Sequence, residues 1–258
     1  MNTLSAKKIS GESSYTGRFM KISSRRIEKK IIYPDRDGKP MSDNTEQFEW
    51  IVKIKENLEQ MFEDRPDVFV AGDLLWYPVE GNNRIRTAPD TMVAFGRPKG
   101  RRGSYRIWEE GGIAPQVVFE ILSPGNRAGE MRKKFEFYDT YGVSEYYVYD
   151  PDRICLTGWI RRNSVLNPVE NMQGWISPML KIRFEPAEDD LHIFRPDGKK
   201  FLSPVESERL HKKEIRKERL ETEAERRKAL LAEQKTEAEY NRAERLAAKL
   251  RELGIEAD

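Results

Sequence analysis

The chain has 258 residues, 38% hydrophobic and 35% charged, with a formal net charge of +2: room for one good-sized domain and an appendage, but too polar for a single compact globule. One cysteine excludes an internal disulfide and a cysteine-rich zinc site, and two histidines leave little for a His-based metal centre or a Ser-His triad. No apolar run spans a membrane and no signal-type apolar core opens the chain, so a cytoplasmic protein is expected.

Residues 1–30 carry eight Lys/Arg against Glu12 and Glu28, a charge of +6, without sustained periodicity. They are predicted to be a disordered basic arm, which either touches an anionic polymer or is an inert tail. A turn-rich stretch, IIYPDRDGKPMSDNT, follows. Asn44 or Thr45 can cap a helix over EQFEWIVKIKENLEQMFEDR, with Phe48, Ile51, Ile54 (or Lys55), Leu58 and Phe62 on its buried face. PDVFVAGDLLWYPVE reads as a strand interrupted at Gly72-Asp73, and EGNNR as a hairpin-like turn. IRTAPDTMVAF is a second strand, GRPKGRRGSYR an exposed basic loop, and QVVFEIL a third strand. SPGNR turns into a helix, GEMRKKFEFYDTYG, which Gly142 closes. SEYYVYDP is a fourth strand, stopped by Pro151. ICLTGWIRR, WISPMLKIRF and DLHIFRP are further short strands that extend the sheet or cap it.

The order helix, three strands, helix, strand is an α/β or α+β design. From about Ser207 a run without Gly or Pro, built of Glu, Lys, Arg, Ala and Leu, predicts a long charged helix. Leu246, Leu250 and Leu253 are spaced like a seam, but upstream seam positions are charged or small. A solvated single helix, weak self-association as a homodimer, and a helical partner all stay open. Three regions result: the arm at 1–30, an acidic domain of net charge −4 at 31–205, and a neutral tail at 206–258 with fourteen charges of each sign.

The chemistry centres on Glu120, a lone carboxylate inside an apolar strand. Such a charge is costly unless something compensates it. The neighbouring strand carries Asp90 beside Pro89. Two carboxylates at one end of a sheet repel unless a cation lies between them, and hard oxygen ligands favour Mg²⁺ or Mn²⁺. The alternative is an Asp in a strand-end turn and a Glu paired with a nearby base. At about 100° per residue, with Met131 at zero, Phe135 falls near ~40°, Tyr138 near ~340° and Tyr141 near ~280°. Lys134, near ~300°, lies inside this apolar stripe, whereas Lys133, near ~200°, faces out. Lys134 therefore points at the sheet edge, or pairs with Glu130 on the helix flank. Asp73 is a bulge or turn residue, or a competitor for a place near the metal.

The segments APD (88–90), VVFEILSPGN (117–126), Lys134 and YGVSEYYVYDP (141–151) resemble the Uma-type restriction endonuclease family of the PD-(D/E)XK nuclease superfamily, over roughly residues 31–205. The resemblance implies a restriction-endonuclease-like core with extra β-strands and a long C-terminal charged helix. It implies Asp90 and Glu120 as metal ligands with the backbone carbonyl of Ile121. Lys134 is implied as the catalytic lysine, displaced from the usual place two residues after the glutamate, where Leu122 stands. Glu46 resembles an auxiliary acidic residue. The implied activity is Mg²⁺-dependent (or Mn²⁺-dependent) hydrolysis of DNA, with Arg97, Lys99, Arg101 and Arg102 available to the DNA backbone. The competing reading is a nuclease fold that no longer cuts and works as a binding or assembly module through its tail.

Overall fold

A computed structural model describes residues 31–36, 38, 42–126 and 128–252. The predicted basic arm lies outside them. The chain divides into Met1–Ile32, of which only Ile31 and Ile32 are described, and Tyr33–Asp258, to which everything below belongs.

Asn44 starts the first helix, α1 (Thr45–Met61), by accepting a 2.7 Å hydrogen bond from the Gln47 N–H. Its buried face is Gln47, Trp50, Ile51, Lys53, Ile54, Asn57 and Leu58. Phe48, read from the sequence as part of that face, is 44% exposed. The stripe runs one position earlier at its start, because the Gln47 amide finds partners inside while Phe48 points away.

The predicted first strand breaks in two. β1 (Val68–Gly72) and β2 (Trp76–Tyr77) are separated at Asp73, whose φ of 46° turns the chain. β3 (Thr91–Phe95) begins directly after Asp90, later than the sequence suggested, because Pro89 cannot donate to a ladder. The basic loop contains a short strand, β4 (Tyr105–Arg106), parallel to β2. β5 (Val117–Ile121), α2 (Ala128–Thr140) and β6 (Glu145–Asp150) form a parallel βαβ unit. Gly142 sits at φ 88° just past α2, the left-handed conformation a helix stop needs.

β7 (Cys155–Arg162) and β8 (Val165–Pro168) complete a six-stranded sheet of order β1-β3-β5-β6-β7-β8, in which only β5 and β6 run parallel. The predicted WISPMLKIRF strand is split by a turn at Lys181 (φ 60°) into β9 (Trp175–Ile176) and β10 (Arg183–Pro186). With β11 (Leu191–Phe194) these make a separate three-stranded sheet.

Strand alternation sorts the core into two layers. Val117, Phe119, Ile121, Tyr147 and Tyr149 pack with α1 and with Phe184, Leu191 and Ile193 of the small sheet. Val118, Tyr146, Val148, Met92 and Ala94 pack with Tyr138 of α2.

The final helix, α3 (Pro204–Glu252), spans 49 residues and buries none of them. Ser203 and Glu206 cap its start reciprocally: the Ser203 N–H donates to Glu206 Oε2 at 2.7 Å and the Glu206 N–H to Ser203 Oγ at 3.2 Å. No helix among the described residues is long and apolar enough to cross a membrane.

Candidate active site

The pleat of β5 aims Glu120. Val118 belongs to the α2 layer, so Glu120, two residues on, faces α2 as well. It is 2% exposed. Asp90 approaches from the start of β3 and accepts the Ile121 N–H at its Oδ2, 2.7 Å away. Both carboxylates therefore serve one side of the sheet.

Two side chains of α2 meet Glu120. Lys134 Nζ donates to its Oε2 at 2.6 Å and to the Ala88 carbonyl at 3.4 Å. The Tyr138 hydroxyl, one helical turn further, donates to Oε1. Of the two sequence alternatives for Lys134, the structure shows the inward one, an ion pair with Glu120.

Burial, with the Glu120 charge added, pushes the Asp90 carboxyl well above the usual carboxylate range; Lys134 and the Ile121 N–H oppose this. For Lys134, burial disfavours the charge, but Glu120 and Asp90 outweigh burial and raise its pKa. Burial and Glu120 raise Tyr138 well above a free phenol, so it stays a donor.

The Ile121 carbonyl is fixed from the opposite layer. Gln47 Nε2 donates to it at 2.8 Å, while Gln47 Oε1 accepts the Asp43 N–H at 2.7 Å. The Ser123 hydroxyl donates to Asp43 Oδ2 at 2.6 Å, and the Ser123 N–H to Asn126 Oδ1 at 2.7 Å. The start of α1 is thus tied to the β5–α2 turn. That turn passes close enough that a Cβ on Gly125 would lie 2.8 Å from Asp43 Oδ2.

Asp90, Lys134, Gln47 and Asp73 line a cleft of about 820 Å³. Asp73 is the turn residue of the first sequence alternative, with a left-handed backbone, and its charge also raises the Asp90 pKa. Glu46 is exposed on α1 and is not among the lining residues, where its neighbour Gln47 stands. Leu122, on the Glu120 side of the strand, packs into the α2 layer.

The basic loop lies apart from the cleft. Arg97 and Arg102 both hold the buried Glu110, at 2.9 and 2.5 Å. Lys99 Nζ donates to the Phe62 and Glu63 carbonyls beyond the end of α1, at 2.6 and 2.9 Å. Arg101 is exposed. None of the four lines the cleft.

Sequence reasoning missed Gln47 and Tyr138. Gln47 was hidden because a polar residue opens an apolar stripe. Tyr138 was read only as part of such a stripe, although its place four residues after Lys134 puts both on one helix face.

A family profile described as "Uma2: Putative restriction endonuclease" matches residues 37–211. The chain belongs to the Uma2 family. Membership makes this a nuclease-family protein and accords with the motif resemblance drawn from APD, VVFEILSPGN, Lys134 and YGVSEYYVYDP. Among solved structures the Uma2 chain is similar to one described as "a putative nuclease belonging to DUF820 from Anabaena variabilis ATCC 29413", with 17% identity, a TM-score of 0.41, and coverage of 55% of this chain and 75% of that one. No curated protein matches it.

Among the described residues no group of three or more His, Cys, Asp or Glu is set to hold a metal ion. The set a cation could use is all oxygen: the Asp90 and Glu120 carboxylates and the Ile121 carbonyl. That fits Mg²⁺, which takes one or two carboxylates and leaves its other positions to water and phosphate oxygens. It suits Zn²⁺ less well, because zinc sites usually add histidine nitrogen or cysteine sulfur to their carboxylates.

Proposed function

We propose that this Uma2 protein is a divalent-metal-dependent endonuclease that hydrolyses DNA phosphodiester bonds. The observation that carries the reading is the ion pair of Lys134 with the buried Glu120 beside Asp90, with Lys134 and Asp90 both lining the cleft. A purely structural Glu–Lys pair has no need of a second buried carboxylate that raises the cost of ionisation.

Asp90, Glu120 and the Ile121 carbonyl would hold Mg²⁺ or Mn²⁺. Such a cation supplies Lewis acidity toward a phosphoryl oxygen and acidifies water. The residues of the chain do the rest. Lys134 keeps its ammonium at the Glu120 carboxylate, where it can orient the attacking water and offset negative charge growing on the phosphoryl group. Tyr138 fixes the other Glu120 oxygen, and Gln47 fixes the Ile121 carbonyl, so the oxygens are aimed before substrate arrives.

Incubation of supercoiled plasmid with Mg²⁺ or Mn²⁺ tests this. The wild type should nick, and Asp90→Ala and Glu120→Ala should not. Equal products from all three overturn the reading. Plasmid binding without nicking by the wild type assigns the protein instead to the non-cutting binding modules.

A further inference from the structure

We propose that Arg84, Arg86 and Lys133 form the phosphate-contacting wall of the cleft, and that duplex DNA is held there rather than on the loop 97–106. The inference rests on the nuclease reading and deepens it.

All three cations line the same cleft as Asp90 and Lys134. They come from two elements that flank the carboxylates: the connection from β2 to β3, and the outer side of α2. Arg84 and Lys133 are exposed and Arg86 is half-buried. Among the described residues none of the three is in an ion pair with a carboxylate; the single side-chain hydrogen bond they make is Arg86 Nη1 to the Asn83 carbonyl, at 3.3 Å. Among the described residues, then, no carboxylate holds their charge back from an outside anion.

The loop cations present the opposite picture. Arg97 and Arg102 share the buried Glu110. Arg102 also lies 3.9 Å over the Phe69 ring, and Lys99 is engaged by two carbonyls. Turning these side chains to a phosphate would break contacts that already satisfy them, leaving Glu110 buried and unpaired.

The Arg84–Arg86 segment is also anchored. The Trp76 N–H donates to the Thr87 carbonyl at 2.8 Å and the Thr87 N–H donates back at 3.3 Å, and Trp76 is fully buried. The Arg84 N–H donates to Asn82 Oδ1 at 3.0 Å, bracing the turn before it. A clamp on such a segment is positioned relative to Asp90, three residues beyond Thr87. Basic side chains contacting phosphates fix the register of a duplex without reading its sequence.

The test is binding of a fluorescent DNA duplex by anisotropy across a salt series, with Ca²⁺ in place of Mg²⁺. The proteins are wild type, Arg84→Ala/Arg86→Ala, Lys133→Ala and Arg101→Ala. Each lost phosphate contact should lower the slope of log affinity against log salt by about 0.9. The double variant should therefore lose about two units of slope, Lys133→Ala about one and Arg101→Ala none. Lys133 is exposed on a helix and its loss removes no hydrogen bond or ion pair among the described residues, so its variant reports even if the double variant unfolds. Wild-type slopes in both cleft variants, or an equal loss in Arg101→Ala, overturn the clamp while leaving the nuclease reading intact. A wild type that neither binds nor nicks DNA overturns both.

Discussion

The sheet buries two glutamates, one on each face, and they are handled in different ways. Glu120 of β5 and Glu145 of β6 are each 2% exposed. Glu145 shares strand parity with Tyr147 and Tyr149, so it faces the α1 layer, under the small sheet. Its hydrogen-bond donors among the described residues are neutral, with the Lys181 charge only acting from nearby: the Ser177 and Tyr147 hydroxyls donate to Oε2, and the Met179 N–H donates to Oε1 at 2.6 Å. Glu120 instead meets a lysine, a phenol and the field of a second carboxylate, beside a cleft. The first arrangement pins the β9–β10 turn to β6. The second concentrates charge beside the cleft, where the proposed cation and phosphate would use it.

The largest expected effect separates the two by activity. Glu120→Gln should lower plasmid nicking by about a thousandfold or more, since several kcal/mol of charge stabilisation depend on it. Glu145→Gln should leave nicking within a few fold of wild type; matching losses would dissolve the distinction.

The order reverses for stability. Glu145→Ala strands the Met179 N–H and two hydroxyls, and should cost about 3 kcal/mol by urea unfolding, at roughly 1–3 kcal/mol per buried unsatisfied group. Burial raises the Glu145 pKa from its ordinary 4.5, against the pull of its donors. Below pH 4.5 both folded and unfolded forms are protonated, and the contribution is fully present. Above it the unfolded chain loses its proton first, so stability falls as pH rises through the folded pKa. The unfolding free energy of wild type minus that of Glu145→Gln should fall across that interval. A rise would mean the donors, not burial, win.

Tyr138→Phe sharpens the picture of the functional face. Loss of one hydrogen bond to a buried carboxylate should cost about 1.5–3 kcal/mol in stability and reduce nicking about tenfold by loosening Glu120. Unchanged nicking would make Tyr138 a packing residue. Smallest of all, removal of residues 207–258 should leave the urea midpoint of the core unshifted, because α3 buries none of its residues.

The Glu120 half of this contrast is legible in the sequence, whereas Glu145 gives no signal there. The lone charge of Glu120 in an apolar strand, the position of Asp90 and the inward angle of Lys134 follow from periodicities of two and 3.6 residues. Gly142 and Pro151 marked element ends because their backbones allow little else. What stayed hidden depends on contacts distant in sequence. Gln47 reads as a surface residue until Ile121, 74 residues away, supplies its partner. The basic loop reads as a solvated arginine cluster until Glu110 folds back onto it. The split of WISPMLKIRF turns on a left-handed Lys181, which no composition rule marks.

The central claim is that Glu120, unlike Glu145, would share a divalent cation with Asp90 beside its ion pair with Lys134. Electron paramagnetic resonance of Mn²⁺ titrated into the protein reads this directly, without DNA or turnover. Wild type and Glu145→Gln should each bind one Mn²⁺, and Asp90→Ala and Glu120→Gln should lose that site. Undiminished Mn²⁺ binding by Glu120→Gln, or loss of the site in a folded Glu145→Gln, would contradict the account.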